Sequence, residues 1–159
     1  MGCQSEQAAV YQGIEILGSD RFVTQVRKAL SLVARKAPQE FATIRTFVKR
    51  IEQHPRSGMD MHQDVPTCQL SDSTAFHSLS WCAGVIAQES HHSKLFHDGD
   101  YEYGLAEEEQ KCNAFQTRVM TLIEAPQHEM EHLASQDGMH FDANGDGRYT
   151  AEDYQQRNW

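Results

Sequence analysis

Within Trp81-Cys82-Ala83-Gly84-Val85-Ile86-Ala87-Gln88-Glu89-Ser90-His91-His92, two candidate metal-ligand positions, 88 and 92, stand four residues apart, with a carboxylate directly after the first. Residues four apart on a helix share a face, so both can reach one ion, and Glu89 between them can polarise a water there. Trp81, Val85, Gln88 and His92 fall at i, i+4, i+7 and i+11, one continuous stripe that predicts the helix such a pair requires. Position 88 is the weak member, because a neutral amide oxygen is a far poorer zinc donor than imidazole. His77 lies on the same stripe but eleven residues before Gln88, about 16 Å along a helix axis, too far to supply the missing donor. It is expected in the core or at an interface. His91 points about 100° away from His92 and is expected beside the site or in solvent.

A third donor is expected from the next helix, predicted over about residues 105–124. Glu107-Glu108-Glu109 opens it; Glu109 follows His92 by seventeen residues and precedes Asn113 by four. From about Thr74 to Met120 the chain resembles the gluzincins, the thermolysin class of zinc peptidases. Those proteins carry H-E-x-x-H on one helix and a glutamate ligand, in an E-x-x-x-D/N context, on a following helix. The background resembles the small bacterial members of that class. The resemblance implies a zinc cofactor, with Gln88 in the first ligand position, Glu89 as general base, His92 as second ligand and Glu109 as third. Glu108, one residue and about 100° from Glu109, is the alternative third ligand. His62 and His140 are further histidines with no spacing that ties them to the site.

His128-Glu129-Met130-Glu131-His132 is a literal H-E-x-x-H. Pro126 suits a first helical turn, which puts His128 at a frayed end with no apolar helix behind it. Glu131 adds a charge inside the motif, and position 138, where a third histidine would fall, is Gly138. A surface helix with i,i+4 side-chain pairs is the expectation here.

Asp142-Ala143-Asn144-Gly145-Asp146-Gly147-Arg148-Tyr149-Thr150-Ala151-Glu152-Asp153 is the most specific local signal in the chain. Oxygen donors recur at loop positions 1, 3 and 5, Gly147 permits the turn at 6, and Arg148 offers its carbonyl at 7. Tyr149 is the apolar residue at 8 and Asp153 closes the loop at 12. An aspartate in the closing place resembles the dockerin-type variant of the EF-hand, with Asp142, Asn144, Asp146, Arg148 and Asp153 as calcium ligands. Loops of this class with millimolar affinity belong outside the cell.

A formal net charge of −9 over 159 residues argues against nucleic acid as a partner, since phosphate binding needs a basic surface. No run approaches the roughly 18 apolar residues of a membrane span. Met1-Gly2-Cys3 resembles the mature end of a bacterial lipoprotein, with Cys3 carrying the lipid. Cys3, Cys68, Cys82 and Cys112 have no C-x-x-C spacing, which excludes a zinc ribbon. An oxidising compartment would permit a bridge between two of Cys68, Cys82 and Cys112. Together these features place the protein in the secreted or cell-surface class.

The elements that position these residues follow from pattern. Residues 1–18 read as a flexible N-terminal segment. Ser19-Asp20 caps a helix to about Lys36, with Phe22, Val26, Leu30 and Val33 on its apolar face, and Pro38 ends it. Residues 41–51 fit both a helix and a strand. Val65 to Leu70 reads as a short strand, with Pro66 either placing it at an edge or standing at its start. A helix capped near Ser71 runs to about Phe96. The fold class is α+β, a predominantly helical zincin-like domain over residues 19–135 with a small sheet near 43–70. An EF-hand-like loop over 136–159 packs on it. The expected activity is zinc-assisted hydrolysis of a peptide or protein substrate, weak or lost because of Gln88. The competing expectation is a calcium-stabilised surface binding module with a vestigial peptidase site.

Overall fold

In the computed structural model, which describes residues 7–100 and 106–136, the chain opens on a β-hairpin: β1 (Gln7–Tyr11) and β2 (Ile14–Gly18). Its two-residue turn, Gln12-Gly13, has positive φ at both positions, 46° and 89°, the backbone hand that matches the twist of paired strands. The expectation of a loose segment up to residue 18 is thus corrected for residues 7–18. Glutamine is an uncommon residue in that turn position, so the turn lacked its usual signal. The alternation of buried Ile14 and Ile16 with half-buried Glu15 and Leu17 is nonetheless that of a strand.

α1 (Asp20–Lys36) begins where the Ser19 hydroxyl accepts from the Phe22 amide at 3.2 Å, and Phe22, Val26, Leu30 and Val33 are buried as its periodicity predicts. Pro38, expected only to end this helix, also opens the next one, α2 (Pro38–Phe47); proline is favoured in a first helical turn, where its missing N–H is not needed. The stretch 41–51 divides between its two readings. It is helical to Phe47 and extended from Arg50, where β3 (Arg50–Gln53) begins. β4 (Gly58–Asp60) and β5 (Thr67–Leu70) follow.

The sheet runs β1-β2-β3-β5-β4, larger than the one expected over residues 43–70 because the hairpin joins it. β2, β3 and β5 are mutually parallel, and β1 and β4 are antiparallel edges. β5 is therefore an inner strand that begins directly after Pro66, so of the two places open to that proline it is the strand's start and not the edge, which is β4. Ile16, Ile51 and Cys68 are fully buried on the three central strands and join Val26 and Leu30 of α1 in one apolar core.

The helix expected from Ser71 to Phe96 is two helices. α3 (Asp72–Ala75) is capped by Ser71, and α4 (Leu79–Asp98) by Ser78, whose hydroxyl accepts from the Trp81 amide at 2.9 Å. The break leaves His77 exposed, its ring 6.0 Å from that of Trp81; it is not a core histidine. α4 closes on Gly99 at φ 79°, a left-handed cap that glycine adopts without strain. α4 packs on α1, α2 and α5 (Ala106–Leu122) and touches β4 and β5. Gly84 makes the α4–α5 approach possible: a Cβ there would lie 2.5 Å from Met120 Sδ and 2.8 Å from its Cγ. One turn later on α4 stands Gln88, so this close approach sets the distance across the site. α6 (Gln127–Ala134) packs on α5. No described helix is long and apolar enough to cross a membrane.

Candidate metal centre on α4 and α5

α4 supplies Gln88, Glu89 and His92; α5 supplies Glu108, Glu109, Cys112 and Asn113. Residues 88 and 92, four apart, face α5, and residues 109 and 113, four apart, face back. His92 Nε2 lies 3.0 Å from Glu109 Oε1, and His92 Nδ1 lies 2.9 Å from Glu108 Oε1. The spacing of seventeen residues does bring His92 and Glu109 together, and Glu108 joins them on the other ring nitrogen. Both glutamates are 5% exposed.

A neutral imidazole has one N–H and could donate to one carboxylate only; facing two, the ring is an imidazolium. Desolvation pulls the His92 pKa down. The charge of Glu109 and the hydrogen bonds with Cys112, Glu108 and Glu109 more than reverse that, holding it well above the usual histidine range. Without a bound ion, the cluster thus supplies its own cation.

Gln88 takes a different part from the one its motif position implies. Its Nε2 is 3.2 Å from Glu109 Oε2 and 3.1 Å from Asn113 Oδ1. An ionised carboxylate only accepts, so the atom facing Glu109 must be the amide NH2. In this arrangement Gln88 donates to Glu109 and offers the site no oxygen lone pair. The hydrogen-bonded run Asn113–Gln88–Glu109–His92–Glu108 ends on Glu108 Oε2, which is buried and has no hydrogen-bond partner among the described residues. Asn113 Nδ2 is likewise buried without a partner.

Among the described residues, one group of histidine, cysteine and acidic side chains could hold a metal ion. One ligand atom each from His92, Glu108 and Cys112 lies within 4.8 Å of the others. Cys112 is fully buried, and burial is the main reason its thiol is pushed up to about 11. Sequence reasoning missed it, although its position four residues after Glu108 puts the two on one face of a helix. Cys68 and Cys82 are fully buried too; burial raises Cys68 well above the usual thiol range and Cys82 to about 12. Among the described residues all three thiols are free, so the permitted bridge is not formed between any two of them; they fill core positions on three different elements, β5, α4 and α5.

Glu89 and Gln88 line a cavity of about 510 Å³. Its walls include Trp81 and Val85 from the predicted stripe, Thr74 beside β5, Gln116 of α5, and His132 of α6. His91 is half-buried against Phe115, ring centroids 5.2 Å apart. Desolvation, with smaller contributions from Lys94 and His92, lowers its pKa.

The literal H-E-x-x-H on α6 serves packing. His128 is exposed, whereas His132 sits 5.4 Å from the Trp81 ring. Glu129, 3% exposed, accepts from the Ser78 and Ser80 hydroxyls at 2.7 and 2.5 Å and so ties α6 to the first turn of α4. A carboxylate at a helix N-terminus is favourably placed against the dipole. The expected i,i+4 pair is present between Gln127 and Glu131 at 3.3 Å.

The calcium loop, Asp142, Asn144, Asp146, Arg148 and Asp153, lies outside the described residues, as do Cys3 and His140. His62 is described; its ring contacts Phe96, and it is not among the three clustered donors. Comparison with protein-family models, with curated proteins and with solved structures finds no match to the chain.

Proposed function

We propose that the protein is a gluzincin-like, metal-dependent peptide hydrolase of low catalytic power, whose cavity beside α4 receives a peptide. The observation that carries this reading is the meeting of His92 and Glu109 at 3.0 Å next to a cavity lined by Glu89. A helix pair that only filled a core would have no need of four buried polar residues, Gln88, Glu89, Glu108 and Glu109, at one level.

The donor set fits a metal. Glu108 Oε2 is a buried carboxylate oxygen without a hydrogen-bond partner among the described residues, an arrangement that a cation relieves. Nitrogen, oxygen and sulfur donors together suit zinc. When bound, zinc would act as a Lewis acid toward a carbonyl oxygen. The chain's own residues divide the remaining work. Glu89, at the cavity wall, takes a proton from the attacking water. Trp81 and Val85 give the substrate an apolar surface and exclude solvent. Gln88 holds Glu109 in place through its amide N–H. Because Gln88 is not a donor to the metal, one imidazole ligand is missing relative to the gluzincin pattern, and that is the basis for low turnover.

Zinc content and cleavage of a mixed peptide library test the reading. Purified protein should take up one equivalent of zinc and cleave slowly. Glu89→Gln should retain the zinc and lose cleavage by about 100-fold or more, in the range typical of general-base removal. Cleavage unchanged in Glu89→Gln would overturn the assignment of the base, and absence of zinc uptake would overturn the metal-dependent reading.

The same proposal gives the C-terminal loop a supporting role. In the EF-hand pattern that the sequence carries, Asp142, Asn144, Asp146 and Asp153, with the Arg148 carbonyl, would be the oxygen donors to calcium, which would relieve their mutual repulsion. Calcium should therefore raise the melting temperature by mass action, and Asp142→Ala with Asp146→Ala should remove the response. A melting temperature identical in chelator and in millimolar calcium would show the loop to be an acidic turn.

A further inference from the structure

We propose that Cys112 is a metal ligand, in a His92–Glu108–Cys112 centre for a thiophilic divalent cation such as zinc or cobalt. The proposal rests on the metal-dependent reading of the α4–α5 pair and names its ligand set.

Three observations carry it. One donor atom from each of the three residues lies within 4.8 Å of the other two, close enough to converge on one ion. Glu108 Oε2 is buried and without a hydrogen-bond partner among the described residues, so an acceptor remains to be satisfied within the cluster. Gln88 presents its amide NH2 to Glu109 and Asn113, on the side of His92 Nε2, which leaves His92 Nδ1, the nitrogen facing Glu108, as the donor from α4. Glu108 and Cys112 are four apart on α5, so the pair presents from a single rigid helix face. Glu109 then acts as a positioning residue: it holds the other ring nitrogen of His92, as a carboxylate commonly does behind a ligating imidazole. Thiolate, imidazole and carboxylate together favour zinc-class ions over magnesium or calcium, which prefer oxygen alone.

The test uses the full chain stripped with chelator and titrated with Co(II) under reducing conditions, read by absorption spectroscopy. Wild type should bind one equivalent and develop an ultraviolet thiolate-to-cobalt charge-transfer band. Cys112→Ser should lose the band, and both Cys112→Ser and Glu108→Gln should weaken Co(II) binding by at least about tenfold, the lower limit seen even for outer-shell partners. Cys82→Ser should keep the band. Glu108→Gln is nearly isosteric, so it reports on the site even if Cys112→Ser folds poorly; circular dichroism confirms folding of each variant. One equivalent of cobalt without the band, or a band that survives in folded Cys112→Ser, would overturn Cys112 as ligand and leave the metal-dependent reading standing. A folded wild type that takes up neither cobalt nor zinc would overturn both. A centre with the expected spectrum but without Glu89-dependent cleavage would overturn only the hydrolase reading.

Discussion

His92→Ala is expected to cost the metal-free protein about 3–5 kcal/mol of unfolding free energy, the range for breaking a buried ion pair from one side. The size follows from what stays behind. Glu108 and Glu109 are each 5% exposed, and the imidazolium is the cation placed directly against both, at 2.9 and 3.0 Å. Its removal leaves two carboxylates next to each other in a site with little water. A companion variant separates this electrostatic account from simple loss of packing. His92→Ala combined with Glu108→Gln and Glu109→Gln carries the same cavity but no stranded charge, so it should recover most of the loss. Chemical denaturation in chelator measures both. A triple variant no more stable than the single one would mean that the imidazole matters for its volume and not its charge. The pH dependence of the wild type gives a second check. The folded-state pKa of His92 is raised, so its contribution to stability is fully present below the unfolded value of about 6.5. It is lost as pH rises through the raised folded value.

Helices with clean apolar periodicity were legible from residue types alone. α1 is the clearest case, with its serine cap and buried stripe of Phe22, Val26, Leu30 and Val33. The first turn of α5, with its three glutamates, was legible too. What escaped were features fixed by partners distant in the chain. The β1–β2 hairpin depends on a glutamine held at positive φ, which a sheet can impose and a turn preference does not announce. The break at His77 depends on Ser78, whose hydroxyl caps α4 and also donates to Glu129 fifty-one residues later.

The site divides in the same way. That His92 and Glu109 share a place was readable, because helix geometry fixes which residues share a face. Whether Gln88 presents its oxygen or its amino group was not. That choice is made by Glu109 and Asn113 on the other helix, and no spacing along α4 encodes it. Cys112 escaped for a related reason: a lone cysteine among Gln110, Lys111 and Asn113 has no spacing that ties it to a histidine on another helix, and only the packing of α4 on α5 brings it to His92.

Gln88→His is expected to tighten zinc binding by at least about tenfold, or 1.4 kcal/mol. In the wild type, position 88 contributes N–H groups to Glu109 and Asn113 and no lone pair to an ion. A histidine there would stand four residues before His92 on the same face of α4 and opposite Glu109, restoring two imidazoles and a carboxylate to one locus. A neutral imidazole still has one N–H, so one of the amide's two hydrogen bonds can be kept; the other is lost. The fold should tolerate the exchange with a modest drop in melting temperature in chelator, and zinc should more than restore it. The second consequence is more discriminating. With the imidazole pair in place, zinc no longer needs the thiolate. Cys112→Ser should weaken zinc binding at least about tenfold in the wild-type background and be tolerated in the Gln88→His background, a non-additivity expected if the added imidazole and Glu109 hold the ion on the Nε2 side of His92 instead. Competition against a chromophoric chelator gives the affinities of all four proteins. Zinc affinity in folded Gln88→His equal to that of the wild type would mean that positions 88, 92 and 109 do not form a ligand frame. Equal penalties for Cys112→Ser in both backgrounds would mean that histidine and cysteine do not exchange roles.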